Sequence, residues 1–293
     1  MHLTAHSEYG KLRKLCIKPA AHAFISDGHM DRHWQDLNYL GKPDMAEALT
    51  EYAAFESILK AHGAEVLHFP ENPDVNMDSI YCRDASIATD RGIILCNMGK
   101  EGRKQEPAAG RQAYEAMGFT ILGEITGPGT VEGGDLAWLD EKTLAVGHTY
   151  RTNPEGIRQL KAFLEPQGVE VITVPLPHYK GPSDVFHLMS ILSPVDKDLA
   201  VVYSPLMPIP FRQLLIERGV GLVEVPDGEF DSMGCNVLAM GPRNCLMVAG
   251  NPITRGRLKE AGCTVTEYKG EEISVKGGGG PTCLTRPLMR EEA

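Results

Sequence analysis

The sequence predicts an α/β protein built as an array or propeller of similar modules, in a single domain spanning residues 1–293. Three observations predict it. The order strand, hairpin, helix, strand returns about every 50 residues, the signature of a modular array. No boundary between domains is visible along the chain. Finally, 293 residues with 42% hydrophobic and 23% charged side chains are enough for one sizeable core.

The elements follow in order. Leu12–Lys18 is the first strand candidate. Asp27–Trp34 gathers two histidines and two aspartates, but their spacing matches no standard metal-ligand pattern. It reads as a mobile polar loop. Pro43–His62 is a helix: Pro43 suits a first turn, and Met45, Leu49, Tyr52, Phe55, Ile58 and Leu59 repeat at helical spacing. Gly63 ends it, and Glu65–Phe69 begins a strand. After the segment Asp78–Asp84 comes a hairpin, Ala85–Thr89 and Gly92–Cys96, turning at Asp90-Arg91. Helix Glu106–Met117 then leads to strand Thr120–Leu122. The pattern repeats with hairpin Leu136–Leu139 and Thr143–Val146, helix Pro154–Leu164 and strand Val169–Val174. It repeats again with Leu188–Leu192 and Leu199–Tyr203, helix Phe211–Arg218 and strand Gly221–Val225. Hairpin Asn236–Met240 and Cys245–Val248, helix Ile253–Ala261 and strand Cys263–Tyr268 follow, and Ile273–Val275 reads as a further strand.

Charge and cysteine usage exclude several classes. A net charge of −10 argues against a nucleic-acid partner or an anionic membrane. No apolar run approaches the ~20 residues of a membrane span, and the start, Met1–His6, lacks the regions of a signal peptide. The seven cysteines are scattered, with no C-x-x-C pair, so neither a disulfide framework nor a zinc site is indicated. A cytoplasmic location is the simplest expectation for them.

Gly277-Gly278-Gly279-Gly280-Pro281-Thr282-Cys283 is either a solvated linker or a tight mount for a thiol. Its context favours the mount. Asp84, Glu132 and His187 each stand at the head of a module's hairpin among apolar neighbours, and Cys283 holds the corresponding place in the last module. Modules around a common axis would bring all four into one pocket. Singly, each has a plain reading: Arg83-Asp84 as a surface ion pair, Glu132 as a turn residue, His187 as a core histidine. Together they suit a planar cation. Carboxylates match the N–H fork of a guanidinium, whose central carbon would then face the thiol. A cationic substrate or protonated His187 would favour the thiolate.

At this point the chain resembles the guanidino-group-modifying (pentein) superfamily, most closely the bacterial dimethylarginine dimethylaminohydrolases. The resemblance rests on Leu40-Gly41-Lys42-Pro43-Asp44, Asp78-Ser79-Ile80-Tyr81, Gly129–Asp135, Arg151-Thr152-Asn153, His187-Leu188 and Gly280–Thr285. It implies a five-bladed α/β propeller of ββαβ modules with pseudo-fivefold symmetry. It further implies Cys283 as nucleophile, His187 as general acid/base, and Asp84 and Glu132 as guanidinium holders. Asp78 would add a polar contact, Arg103 and Arg151 would bind the α-carboxylate of a free amino acid, and residues of Asp27–Tyr39 would cover the site. No cofactor and no metal are implied, and the family often forms homodimers.

Two positions depart from the family patterns. Dimethylargininases typically read Glu-Asp where this chain has Arg83-Asp84, which is closer to arginine deiminases. Arginine deiminases carry an aspartate two residues after the histidine, where this chain has Met189. One side of a bound guanidinium would then lack a charged partner, which suits an alkylated nitrogen. The expected function is therefore cysteine-dependent hydrolysis of dimethylarginine, monomethylarginine or arginine to citrulline. An amidinotransferase would use the same residues with an amine as acceptor. A non-catalytic propeller module would lack the four reactive groups.

Overall fold

Residues 2–292 are described by a computed structural model in which the strands form five separate sheets. The first sheet collects β1 (His2–Thr4), β2 (Lys11–Ile17) and β3 (Glu65–His68). Between β2 and β3 lie helices α1 (Ala20–Phe24), α2 (Asp27–His33) and α3 (Met45–Ala61). Each of the next four sheets is one continuous module. The second holds β4 (Ser86–Thr89), β5 (Gly92–Leu95), helix α4 (Glu106–Ala116) and β6 (Ile121–Glu124). The third holds β7 (Leu136–Asp140), β8 (Thr143–His148), α5 (Pro154–Leu164) and β9 (Glu170–Pro175). The fourth runs through β10 (Leu192–Asp196), β11 (Leu199–Val202), α6 (Ile209–Glu217) and β12 (Gly221–Glu224). The fifth runs through β13 (Leu238–Gly241), β14 (Asn244–Val248), α7 (Pro252–Glu260) and β15 (Thr264–Tyr268). The last strand, β16 (Thr285–Glu292), returns to the first sheet between β1 and β2. Both ends of the described chain thus share one blade.

Every module pairs its first two strands antiparallel and its helix-connected third strand parallel. The third strand can be parallel only because a helix carries the chain back across the sheet. The innermost strands β4 and β13 and the middle strand β11 are buried along their whole length. That explains their unbroken runs of small and apolar residues, since no face of theirs meets water. Three hairpins, β7–β8, β10–β11 and β13–β14, shift register just before their turns. A recurring bulge is a structural trace of the repeat that side-chain identity has lost.

The inner strands touch around a ring: β16 against β4, β7 against β10, β10 against β13, and β13 against β2. The second and third blades join through a bridge between Asn97 and Val131. This is the five-bladed α/β propeller of the pentein fold.

Local chemistry accounts for the helix bounds. Asn153 accepts from Gly156 N at 2.8 Å and Pro154 opens α5. Asp44, not Pro43, forms the boundary of α3: its carboxylate accepts from Glu47 N at 2.9 Å. Pro43 precedes the cap rather than sitting in the first turn. Two further expectations are corrected. Asp27–His33 is a helix capped by Ser26, not a mobile loop. Ile273–Val275 is not a strand but part of a wide helical turn, Glu271–Val275, in which Ser274 N and Val275 N both donate to Gly270 O. Buried Glu51 on α3 draws that turn out of an extended form, accepting from Glu272 N at 2.8 Å and Ile273 N at 3.4 Å. Among the described residues no helix is long and apolar enough to cross a membrane.

Candidate active site

The segments heading the five inner strands meet on the ring's axis, and hydrogen bonds tie each to the next. Arg83 N donates to Cys283 O at 3.2 Å, and Gly133 N to Asp84 O at 2.9 Å. Leu188 N donates to the Asp135 carboxylate at 3.0 Å. Val237 N reaches the Ser193 hydroxyl at 3.1 Å, and Thr282 N reaches Asn236 Oδ1 at 3.0 Å. Five short connections are thereby fixed relative to one another, which is what positions side chains to sub-ångström tolerance.

The glycine run is part of this framework, not a linker. A Cβ on Gly279 would come within 2.5 Å of the Tyr81 ring, and one on Gly277 would overlap the Tyr81 hydroxyl. Gly278 has φ +76°, a conformation that costs other residues energy. The backbone therefore lies flat on Tyr81 and turns Cys283 into a cavity of about 300 Å³. His187, Gly134, Asn236, Phe186 and Met189 also line that cavity. Gly134 keeps the space open, because a Cβ there would strike His187 Nδ1 and lie 2.8 Å from Asp84 Oδ1.

Glu132 and His187 are both buried, with Glu132 Oε2 2.8 Å from His187 Nε2. Glu132 Oε1 accepts from Lys100 N at 2.9 Å and lies 3.5 Å from Arg151 Nη1. Burial alone would raise the Glu132 pKa. The hydrogen bond and charge of His187, with Arg151 and Arg103, instead hold it well below the usual carboxylate range. Burial opposes charge on His187, but Asp135, Glu132 and Asp84 together raise its pKa to about 9. At neutral pH this imidazole is a cation carrying a proton it can give.

Asp84 Oδ2 accepts from Arg103 Nη1 at 2.6 Å, whereas Asp84 Oδ1 is buried and has no partner within the described chain. An unpaired buried carboxylate oxygen is costly. Cys283 Sγ accepts from Asn236 Nδ2 at 3.3 Å and lies 3.8 Å from Thr282 Oγ1. Burial, then the nearby Asp84 charge, raises the Cys283 pKa above its ordinary value, against the pull of Asn236 and Thr282. The resting sulfur is a thiol. Ligand atoms of Asp84, Glu132 and His187 fall within 4.8 Å of one another, close enough for a metal ion. The cations already facing those carboxylates are guanidinium and imidazolium groups of the chain itself, so the donor set matches a delocalised cation.

Other expected residues sit differently. Arg83-Asp84 is not a surface ion pair: Arg83 pairs with Glu8 at 2.5 Å, and both are buried. Arg103 was expected at a substrate carboxylate. Its Nε and Nη2 instead grip Glu106 at 2.7 and 2.8 Å, Nη2 also donates to Tyr81 O at 2.9 Å, and Nη1 holds Asp84. Because Glu106 lies three residues on, at the start of α4, the pair closes locally, and Arg103 becomes a positioning residue for Asp84. Asp78 is held by Lys100 Nζ at 2.6 Å. Arg151 donates to Asp184 O at 3.2 Å beside its contact with Glu132. Leu37, Asn38 and Leu40 line the cavity around Cys283, so part of Asp27–Tyr39 does reach it.

Two residues at the site carried no role in the sequence. Asn236 completes the ring of five. It stands two residues before β13, as Asp84 stands before β4 and Cys283 before β16, and that register was the available signal. Asp135 is fully buried beneath His187. Burial pushes its pKa up to about 6, against the pull of His187 and the Thr152 and Thr149 hydroxyls.

Known proteins are similar to this chain in sequence and in fold. The family model of N,N-dimethylarginine dimethylhydrolase, eukaryotic form, matches residues 26–290. An N(G),N(G)-dimethylarginine dimethylaminohydrolase of Streptomyces coelicolor is 30% identical over 75% of this chain and 78% of its own length. Its counterpart in Pseudomonas aeruginosa is 28% identical, covering 85% and 91%. The solved structure of the Pseudomonas aeruginosa enzyme with citrulline superposes with a TM-score of 0.75 at 24% identity, covering 95% of this chain and 99% of that one. The substrate-bound N-terminal domain of ArgZ, a cyanobacterial arginine dihydrolase, gives 0.80 at 19% identity, covering 95% and 98%. The chain belongs to the N,N-dimethylarginine dimethylhydrolase family of amidine-hydrolysing enzymes.

Proposed function

We propose that this protein hydrolyses the guanidinium group of a free arginine derivative, with Nω-methylated arginine preferred, giving citrulline and an amine. The observation that carries the reading is Asp84 Oδ1, a buried carboxylate oxygen without a partner beside Cys283 and the His187–Glu132 pair. A guanidinium donating to Asp84 and Glu132 would supply the missing partner and set its carbon against the sulfur.

The protonation states suggest the sequence of events. The bound cation lowers the Cys283 pKa, and the thiol proton leaves to bulk water. The thiolate attacks the guanidinium carbon. His187, already protonated, gives its proton to the departing amine as the C–N bond breaks. A covalent thiouronium remains on Cys283. Neutral His187 then takes a proton from water, the hydroxide adds to the same carbon, and the C–S bond breaks to release the ureido product. Asp84 and Glu132 keep their charges throughout.

The methyl preference is supported by Met189, which is buried and lines the cavity. A thioether and the Phe186 ring gain from an N-methyl group, whereas an unsubstituted nitrogen would leave N–H groups unpaired there. The test is purified protein with dimethylarginine, monomethylarginine and arginine, reading citrulline and released amine without any added amine acceptor. Citrulline is expected, fastest from a methylated substrate, and Cys283→Ser should abolish it without changing the fold by circular dichroism. Turnover by Cys283→Ser would sink the mechanism. A strict need for an amine acceptor would make the protein an amidinotransferase.

A further inference from the structure

Against Cys82, Ala85 and Ser86, the neighbours of Asp84 in the chain, lies a second cavity of about 160 Å³. It separates α4 from the chain that follows β3. The small side chains of Ala109 and Ala113 on α4 create the space, and the rings of Phe69 and Tyr114 wall it. A cavity of this order holds a benzene-sized ring.

Among the polar side chains that line this space, Lys18, Ser79, Ser86 and Glu106 are each more than nine-tenths buried, and Ser86 is already bonded to the Tyr114 hydroxyl at 2.8 Å. The Ser79 hydroxyl has no hydrogen-bond partner within the described chain. Lys18 Nζ donates to Pro70 O, its one hydrogen bond among the described residues, and no carboxylate answers its charge at close range. An ammonium offers three donors. Such groups are seldom left buried without an explanation.

We propose that this cavity is a binding site for a small monocarboxylate with an apolar body, whose carboxylate meets Lys18 and Ser79 and whose body lies against α4. Burial lowers the Lys18 pKa, with Glu106 and Glu71 offsetting part of the loss, so Lys18 gains from an added anion. Occupation is felt at the reaction centre because Glu106 is a wall of the cavity and holds Arg103, which in turn holds Asp84. A carboxylate beside Glu106 makes charge there more costly, and burial already raises the Glu106 pKa to about 7. Glu106 takes up a proton and loosens its grip. Arg103 then pairs more fully with Asp84, which has less charge left for a cationic substrate.

Benzoate is the probe. Titration calorimetry on the purified full chain should show one saturable site, with benzyl alcohol binding at least about tenfold more weakly for want of the charge. Ala113→Leu, which fills the space, and Lys18→Met, which removes the cation, should each abolish the benzoate heat while the melting transition stays cooperative. If one variant fails to fold, the other carries the test. Resting on the guanidino-hydrolase reading, benzoate should also raise KM for the guanidino substrate about fivefold without a matching change in kcat. Absence of saturable benzoate binding would overturn the proposal, as would wild-type binding in both variants, which would place benzoate elsewhere. Failure of every guanidino compound to yield a ureido product would sink the functional reading alone, since calorimetry reports on this cavity without turnover.

Discussion

At the scale of single residues the site works through contrast between buried groups. His187 is held as an acid by carboxylates that overcome its burial, and Cys283 is held as a thiol by burial and by Asp84. The pH dependence follows. His187 binds its proton more tightly in the folded chain than its ordinary value of 6.5 implies, so the stability this confers is full below that value and lost as pH rises through about 9. In the proposed mechanism the proton for the leaving group is lost over the same range, so kcat should fall with a descending limb near pH 9. Asp135 is the largest source of the upward shift. Asp135→Asn keeps an acceptor for Leu188 N and can still bond the Thr149 hydroxyl, which now meets Asp135 at 2.7 Å. It should therefore move the descending limb to lower pH with the fold intact. An unmoved limb in a full pH–rate profile would show that Asp135 is only structural. Met189 carries a second prediction. Met189→Asp places a carboxylate on the apolar side of the guanidinium and should shift the ratio of kcat/KM from methylated arginine towards arginine by about tenfold or more, read from parallel progress curves.

At the scale of elements, the loop that delivers Cys283 is rigid because its glycines are in contact, not because they are free. Gly279→Ala would push a methyl group into the Tyr81 ring, which is buried and donates to Ile273 O at 3.2 Å. Tyr81 cannot yield without disturbing the connection that holds Asp84, three residues on. The expected cost is about 1–3 kcal/mol in urea unfolding, with a larger loss in kcat than in KM. Normal kcat in Gly279→Ala would show that the loop tolerates displacement. The same elements show what the chain declares about itself. Hairpins and amphipathic helices declared themselves by local period, and α5 begins and ends where its proline, asparagine and leucines place it. Asp84, Glu132, His187 and Cys283 were visible because reactive side chains stood out at the heads of apolar strands. Asn236 was not visible: an uncharged amide in an apolar run looks like any turn residue. Arg103 was misplaced because residue type and order do not say that Glu106 will capture it. Glu271–Val275 looked extended because its helical turn is imposed by Glu51, 220 and more positions earlier in the chain.

At the scale of the whole molecule, the ring depends on β16, a strand the sequence did not advertise. Thr-Arg-Pro-Leu-Met-Arg-Glu-Glu has polar ends, a proline and no alternation, yet it pairs with β1 on one side and β2 on the other. Register shifts on either side of Met289 let Pro287 sit in a ladder that would otherwise require its N–H. What polar residues gain here is access to the axis. Arg290 is fully buried and donates to Gly10 O in the first blade and Ala239 O in the fifth, each at 2.7 Å. It therefore ties the first blade to the fifth, beside the stretch of chain that runs from β15 into β16. Burial and the charge of Arg83 lower its pKa, to about 10, with Glu8 opposing. Arg290→Met tests which effect wins. The substitution removes a strained buried charge but leaves two buried carbonyls without donors, at about 1–3 kcal/mol each. Loss of the carbonyl partners should dominate, lowering the urea-unfolding free energy by about 2–4 kcal/mol. Because Arg290 hydrogen-bonds to none of Asp84, Glu132, His187 and Cys283, the folded variant should keep its kcat. A stability equal to or above wild type in Arg290→Met would mean that the Arg290 charge is a net burden and that the packing of β13 against β2 is enough to hold the first blade to the fifth.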